Sequence, residues 1–339
     1  MRIGVVGCGY WGSKHVRVLH TTDGVSDVVV IDGDSDRRAS LAKAFPSVGT
    51  RPSLEDAIDE VDAVIVATPP RTHHRLARLA LEHGRHVLVE KPLATSNAEA
   101  RDLVRVADAG DLVLKVGHTF EHNAAVWRLR QAVAGGELGD IHYIDSARLN
   151  LGLYQSDVNV IWDLAPHDIS IANYVLDARP QAVTAWASSH ANAHADVATI
   201  RLDYEAIDVT ATIRVSWLDP CKVRRTTIVG SQRMAVYDDL DDNERVRVYD
   251  RGVDRRLGGT SHELPMSYRY GDVVAPYVDL KEPLLVEDQD FVDAIRSSDS
   301  GRAGGRSGLD VVEAVVAAQE SVARGRTVTI DDLVPAVAS

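Results

Sequence analysis

The stretch from Arg2 to Asp32 constrains this chain most. A short apolar run at 3–6 leads straight into Gly7-Cys8-Gly9-Tyr10-Trp11-Gly12. Helix-forming residues follow over 13–21, and a second apolar run, Val28-Val29-Val30-Ile31, ends at Asp32. A strand, a G-x-G-x-x-G turn, a helix and a second strand closing on an acid form a dinucleotide-binding arrangement. Gly7 permits the tight turn, Gly9 lets the backbone approach a pyrophosphate, and Gly12 lets helix and strand pack closely. The free N–H groups and dipole of the first helix then face the phosphates, with Tyr10 and Trp11 in the same turn. Asp32 is placed to accept from an adenosine ribose 2′-OH and to repel a 2′-phosphate, which favours NAD over NADP. Arg37 and Arg38 are close enough to meet a 2′-phosphate if the loop folds back.

The alternation continues. Residues 53–58 read as a short helix and 61–67 as a nearly all-apolar strand ending in Thr68-Pro69-Pro70. Thr72 then caps a helix carrying His73, Leu76, Leu79 and Ala80. The two prolines fix a loop over the strand end, putting Thr68 and Pro69 beside the nicotinamide ribose. His73 either touches the cofactor or sits on an exposed helix N-terminus. Residues 87–89 form a strand that delivers Glu90-Lys91-Pro92 at its carboxyl end. Ser96-x-x-Glu99 is a capping box for a helix to 109, and 112–116 is a strand closing at Gly117-His118. Repeated βα units with apolar strands imply an α/β fold with a parallel, doubly wound sheet, whose ligands lie outside the carboxyl ends of the strands. This domain is read as 1–120. A chain of 339 residues exceeds one hydrophobic core, so 121–339 is read as a second domain.

The net charge of −13 argues against nucleic acid as a partner, because phosphate binding needs a basic surface. Cys8 and Cys221 are the two cysteines, and Cys8 lies inside the glycine-rich turn, which fits a reducing compartment. No apolar leader or bilayer-length run is visible, so the expectation is a cytoplasmic protein without a membrane partner.

In the second domain, 122–134 reads as a helix stopped by Gly135-Gly136, 141–150 as a strand and 163–176 as a helix. Val209, Ala211, Ile213, Val215 and Trp217 alternate with Thr210, Thr212, Arg214 and Ser216, the period of a sheet with one covered face. The other face is either solvated or a subunit interface. Residues 183–187, 197–204, 222–229 and 245–249 are further strands. Residues 251–276 read as a surface excursion, 298–307 as a mobile loop, and 289–297 and 309–324 as closing helices.

In order and spacing, the glycine turn, Ala67-Thr68-Pro69-Pro70 with Thr72-His73-His74, and Glu90-Lys91-Pro92 resemble the Gfo/Idh/MocA oxidoreductases. Trp162-Asp163-Leu164-Ala165-Pro166-His167-Asp168 matches that family's D-x-x-x-H motif opening a helix, and the resemblance covers essentially the whole chain. It implies a Rossmann domain followed by an α/β domain with a large, mostly antiparallel sheet. It also implies NAD(P), hydride transfer on sugars, cyclitols or related polyols, and a homodimer or homotetramer through the second domain's sheet. Arg148-Leu149-Asn150-Leu151-Gly152 and the segment from Asp157 to Trp162 resemble the branch acting on nucleotide sugars, of the UDP-N-acetylglucosamine 3-dehydrogenase type. The alternatives are an inositol-type cyclitol dehydrogenase, a free or phosphorylated sugar dehydrogenase, or a ketoreductase. From another class, the fold could serve as an NAD-sensing regulatory protein.

Hydride transfer at an alcohol carbon needs a base for the hydroxyl proton. Lys91 and His167 are the candidates, with His167 the base. Asp163 precedes His167 at i, i+4 and shares its helix face. Glu90 orients Lys91, and the Lys91–Pro92 bond is read as cis. With Pro92, these two complete the strand-end set beside the cofactor. A sensor needs no such proton relay. His118, Asn123, Arg148, Asn150 and Trp162 join Lys91, Asp163 and His167 as substrate contacts, each of the five being either that or structural. Arg148, Arg224 and Arg225 either hold a phosphate or face water. No metal site is expected: His73-His74 and the His190/His194 pair lack partners for a zinc.

Overall fold

The computed structural model describes residues 1–152, 158–191, 193–255, 266–297 and 301–333. Six short strands build the first sheet: β1 (Arg2–Val6), β2 (Asp27–Ile31), β3 (Gly49–Arg51), β4 (Ala63–Val66), β5 (His86–Glu90) and β6 (Leu114–Gly117). Helices α1 (Tyr10–Leu19), α2 (Ser35–Ala44), α3 (His73–Glu82) and α4 (Asn97–Ala109) alternate with them. All pairs are parallel, in the order β3-β2-β1-β4-β5-β6. The order reverses between β1 and β4, the switch point outside which α/β sheets bind ligands. The strands are almost entirely apolar because both faces are covered: Ile3, Val5, Val29, Val30, Ile65 and Leu88 are buried to 1% exposure or less. Residues 53–58 do not form the expected helix. A single 3₁₀ turn, Ile58–Glu60, stands there, since so short a segment cannot offset the cost of helix nucleation. Ser96 caps α4 as its spacing predicts, accepting from the Glu99 amide.

The second sheet has nine strands. They are β7 (Ile141–Leu151), β8 (Ala182–Ser188), β9 (Val197–Tyr204), β10 (Val209–Ser216), β11 (Leu218–Gly230), β12 (Met234–Asp238), β13 (Val246–Arg255), β14 (Met266–Val274) and β15 (Val328–Thr329). Their order is β14-β13-β12-β11-β7-β10-β9-β8-β15, and among the described residues of this second sheet β7/β10 is the one parallel pair. Helix α5 (Ala124–Ala134) precedes this sheet. Helix α6 (Val160–Leu176) packs on β7 and β10, whose Val209, Ala211, Ile213 and Val215 are buried as their alternation predicts. Helix α6 starts three residues before the expected position, because the Asn159 side chain accepts from the amides of Ile161 and Trp162. The excursion expected at 251–276 is instead largely the β13/β14 hairpin, with residues 256–265 outside the described residues.

Two further helices, α7 (Pro283–Ser297) and α8 (Gly305–Arg324), close the chain. Helix α8 takes in residues expected in the 298–307 loop, of which 298–300 lie outside the described residues. Packing separates Met1–Asn123 with Lys281–Val316 from Ala124–Leu280 with Ala317–Ser339. The motif reading instead assigns all of 121–339 to a second domain. Phe291, Val292 and Ala294 of α7 share one core with Ile3, Val5, Leu19, Ile65 and Leu88, so the returning segment completes the first unit. No helix among the described residues is long and apolar enough to cross a membrane.

Candidate active site

The glycine turn is built as its sequence requires. Gly7 has φ +91°, and a Cβ on it would lie 2.6 Å from the Ala67 carbonyl oxygen. A Cβ on Gly12 would lie 1.7 Å from the Gly7 carbonyl oxygen, so close packing of α1 on the turn excludes any side chain there. Gly9 differs: nothing in the chain lies within 4 Å of the position its Cβ would take. Its openness serves no internal packing and leaves room for a ligand against the backbone. Gly9 is also the N-cap of α1, with no side-chain cap and no acid in the first turn, so the first amides remain available to an anion. The residues present therefore fit a dinucleotide pyrophosphate. Tyr10 and Trp11 are exposed on this turn, with the Lys14 ammonium 4.0 and 4.8 Å from their ring centres.

Asp32 ends β2. One of its oxygens accepts from the Cys8 amide at 2.7 Å and the other from the Asp34 amide at 2.9 Å, which fixes the carboxylate at the turn. Arg37 lies 3.9 Å from that carboxylate and Arg38 donates to the Asp32 carbonyl. Burial and the Asp32 charge push the Cys8 thiol up to about 12, so it is an inert part of the turn.

After β4, the Thr72 hydroxyl does not cap α3. It donates toward Thr68 Oγ1 and the Pro69 carbonyl, tightening the loop. His73 is not on an exposed helix end. It is buried, with Nδ1 2.7 Å from the Pro92 carbonyl and Nε2 2.7 Å from the Thr68 carbonyl, and so clasps this loop to the next one. The Lys91–Pro92 bond is cis. Lys91 is half-buried, and its amide donates to Glu90 Oε2 at 3.1 Å. Glu90 is buried, and a Cβ on Gly117 would lie 2.9 Å from that same Oε2; glycine on β6 makes room for the carboxylate.

The sequence reading passed over His15. It is fully buried on α1, with Nε2 3.2 Å from Glu90 Oε1 and Nδ1 2.9 Å from Asp288 Oδ1 of α7. Glu287 is buried beside them. A signal for this cluster exists in the sequence: Leu284, Glu287, Asp288 and Phe291 occupy i, i+3, i+4 and i+7, so two acids stand in an apolar stripe.

His118 follows β6 and is buried with both ring nitrogens unpartnered. Burial, then the Lys91 charge, push its pKa down to about 3, so the ring is neutral. An orphaned imidazole at the carboxyl edge of the sheet is a group that a bound polar molecule would satisfy. Asn123 is buried nearby in the chain, at the end of the first unit's opening segment.

Arg148, Asn150, Trp162, Asp163 and His167 belong to the other unit. Arg148 on β7 is buried, and its Nε donates to Asp168 Oδ2 at 2.6 Å. Ser146 donates to the other oxygen of Asp168 at 2.6 Å. Arg224 lies 3.3 Å from Asp239, and Arg225 is exposed. Asn150, Trp162, Asp163 and His167 are half-buried. Asp163 and His167 share a helix face at i, i+4, and the Trp217 indole N–H donates to Asp163 Oδ2 at 3.0 Å. Pro166 inside α6 withholds the helical bond to the Trp162 carbonyl.

Residues 1–118 match the model of the oxidoreductase family with an NAD-binding Rossmann fold, and residues 126–236 match the GFO/IDH/MocA C-terminal domain. A UDP-N-acetylglucosamine 3-dehydrogenase of Acidithiobacillus ferrooxidans is 31% identical over 95% of this chain and 97% of its own. Its crystal structure superposes with a TM-score of 0.78 at 28% identity, covering 95% of this chain and 97% of that one. GenD2 from gentamicin A biosynthesis, solved in complex with NAD, gives a TM-score of 0.80 at 26% identity, covering 97% and 96% of the two chains. Inositol 2-dehydrogenase 2 of Saccharopolyspora erythraea is 32% identical over 52% of this chain and 54% of its own. The chain belongs to the Gfo/Idh/MocA family of NAD-binding oxidoreductases, dehydrogenases acting on CH–OH groups.

Proposed function

We propose that this protein oxidises a secondary alcohol of a nucleotide sugar, at ring position 3, with NAD as hydride acceptor. One observation carries the reading. Similarity to a UDP-N-acetylglucosamine 3-dehydrogenase runs over 95% of this chain, whereas the inositol 2-dehydrogenase match runs over 52%. Hydride acceptance is the chemistry NAD supplies. The turn at Gly7, Gly9 and Gly12 holds the pyrophosphate, Asp32 the ribose, and Thr68 and Pro69 flank the nicotinamide end.

The chain's own residues handle the proton. His167 takes it from the substrate hydroxyl, and the Lys91 ammonium donates a hydrogen bond to the same oxygen as alkoxide character develops. Asp163, fixed by Trp217, holds the His167 imidazole or a sugar hydroxyl. Glu90 orients Lys91. His118, Asn123, Asn150 and Trp162 meet the sugar. Self-association through the second sheet completes the reading and is read by light scattering.

The test is formation of reduced cofactor, followed by absorbance, with UDP-N-acetylhexosamines, their uronic acids and inositols. Turnover of the nucleotide sugars is expected. Turnover of inositols alone would move the assignment to cyclitols, and NAD binding without turnover across the panel would make the protein a sensor. Lys91→Ala and His167→Ala should retain NAD binding and lose roughly 10²–10⁴-fold in kcat.

A further inference from the structure

Hydrogen-bond accounting around His15 leaves one proton to explain. Its two ring nitrogens face two carboxylates, Asp288 and Glu90, at 2.9 and 3.2 Å. Ionised carboxylates only accept, and a neutral imidazole donates from one nitrogen. Both contacts are therefore satisfied only when the ring carries two protons, or when one acid carries its own. The ring and Asp288 are fully buried and Glu90 nearly so, so water cannot make up the difference.

Charge balance points the same way. Three acids, Glu90, Glu287 and Asp288, surround this imidazole, and the Lys91 amide donates to Glu90. Glu282 and Arg17, which pair with each other on the surface, also act on Asp288. Burial alone would lower the pKa of His15, but the Asp288 and Glu90 carboxylates outweigh it and hold the ring well above the usual histidine value. Burial, then the Glu90 charge, raise the Glu287 carboxyl well above its ordinary value. Neither Glu287 oxygen makes a hydrogen bond of good geometry, and the Thr119 hydroxyl offers only a weak contact. Burial raises the Asp288 carboxyl too, with the His15 charge and hydrogen bond opposing it; the two short contacts to the ring favour an imidazolium between two carboxylates, with Glu287 neutral beside it.

We propose that His15 is a positioning residue for the reaction: gripped by Asp288 through one nitrogen, it holds Glu90 Oε1 with the other, and so keeps Glu90 Oε2 on the Lys91 amide. This rests on Lys91 acting as proposed above. The dinucleotide turn, the Glu90–Lys91 strand end and the returning helix α7 are thereby joined through one ring, all within the first unit. Without the ring, Glu90 Oε1 loses its partner and Oε2 is no longer held on the Lys91 amide. The loss falls on kcat and spares cofactor binding, a split that a merely structural role for His15 would not produce.

The first measurement uses the ligand-free, unmodified protein. Nitrogen-15 spectra of labelled histidine should show an imidazolium persisting at about pH 8, above the ordinary histidine range, and lost in Asp288→Asn. No persisting imidazolium would overturn the proposal even if no variant folds. The second measurement compares kcat with KM. His15→Gln should lower kcat about tenfold and leave the KM for NAD within about threefold. If Lys91→Ala keeps full activity, the reading of the reaction fails. If Lys91→Ala is inactive while His15→Gln leaves kcat unchanged, the clamp fails alone.

Discussion

Arg148 and Asp168 form a buried ion pair that fastens α6 to β7, with Ser146 bonded to the same carboxylate. Removing Arg148 leaves the Asp168 charge buried without this counter-ion. Arg148→Met should therefore destabilise by about 3–5 kcal/mol, and Arg148→Met with Asp168→Leu should recover much of that loss. Urea unfolding midpoints of the single and double variants check it. Equal losses in both would mean that packing, not charge, dominates the site.

The three glycines of the turn should separate cleanly. Gly12→Ala drives a methyl into the Gly7 carbonyl and is expected to cost at least about 2 kcal/mol of stability. Gly9→Ala meets nothing in the chain, so its melting temperature should stay near the parent's while NAD affinity falls at least about tenfold. Calorimetric titration with NAD, alongside thermal melting, reads both.

Asp32 accepts two backbone amides, and we propose that its charge bars a 2′-phosphate. Asp32→Asn removes the charge at nearly constant shape, with Arg37 close by. The preference for NAD over NADP, measured as a ratio of kcat/KM, should narrow by at least about tenfold, roughly the 1.4 kcal/mol of one decade. An unchanged ratio would place the discrimination elsewhere.

The buried acid cluster should tilt stability against alkaline pH. Folded Glu287 keeps a proton that the unfolded chain releases above its ordinary pKa of 4.5. Its contribution is fully present below that value and is lost as pH rises through the raised folded value. His15 behaves likewise from 6.5 upward. Glu287→Gln keeps the shape and removes the titration, so its stability relative to the parent should improve steadily as pH rises. Denaturant melts at several pH values give the slope, and a constant difference would show Glu287 already ionised.

Much of this was legible in the chain. The apolar runs gave β1, β2, β4 and β5 because strands covered on both faces leave no alternation to misread. The glycine turn and Asp32 were legible because each position answers to backbone geometry. Strand β14 was missed since Tyr268 and Tyr270 lie exposed on an outer strand, where pairing rather than burial sets the conformation. His15 was missed because its partner Asp288 lies 273 residues away, and no local pattern reports a contact at that distance. Arg148 illustrates the remaining difficulty: a strand arginine reads the same whether its partner is a substrate or Asp168.

The return of Lys281–Val316 to the first unit also bears on how the protein is made. Synthesis delivers the glycine turn and all six parallel strands before the second sheet, but Phe291 and Val292 join the same core only after β7 to β14 of that sheet have been made. Until then, α1 lacks the helix that covers it and His15 lacks Asp288. The nucleotide-binding unit thus becomes a finished body only once α7 has emerged, after β14 of the second sheet.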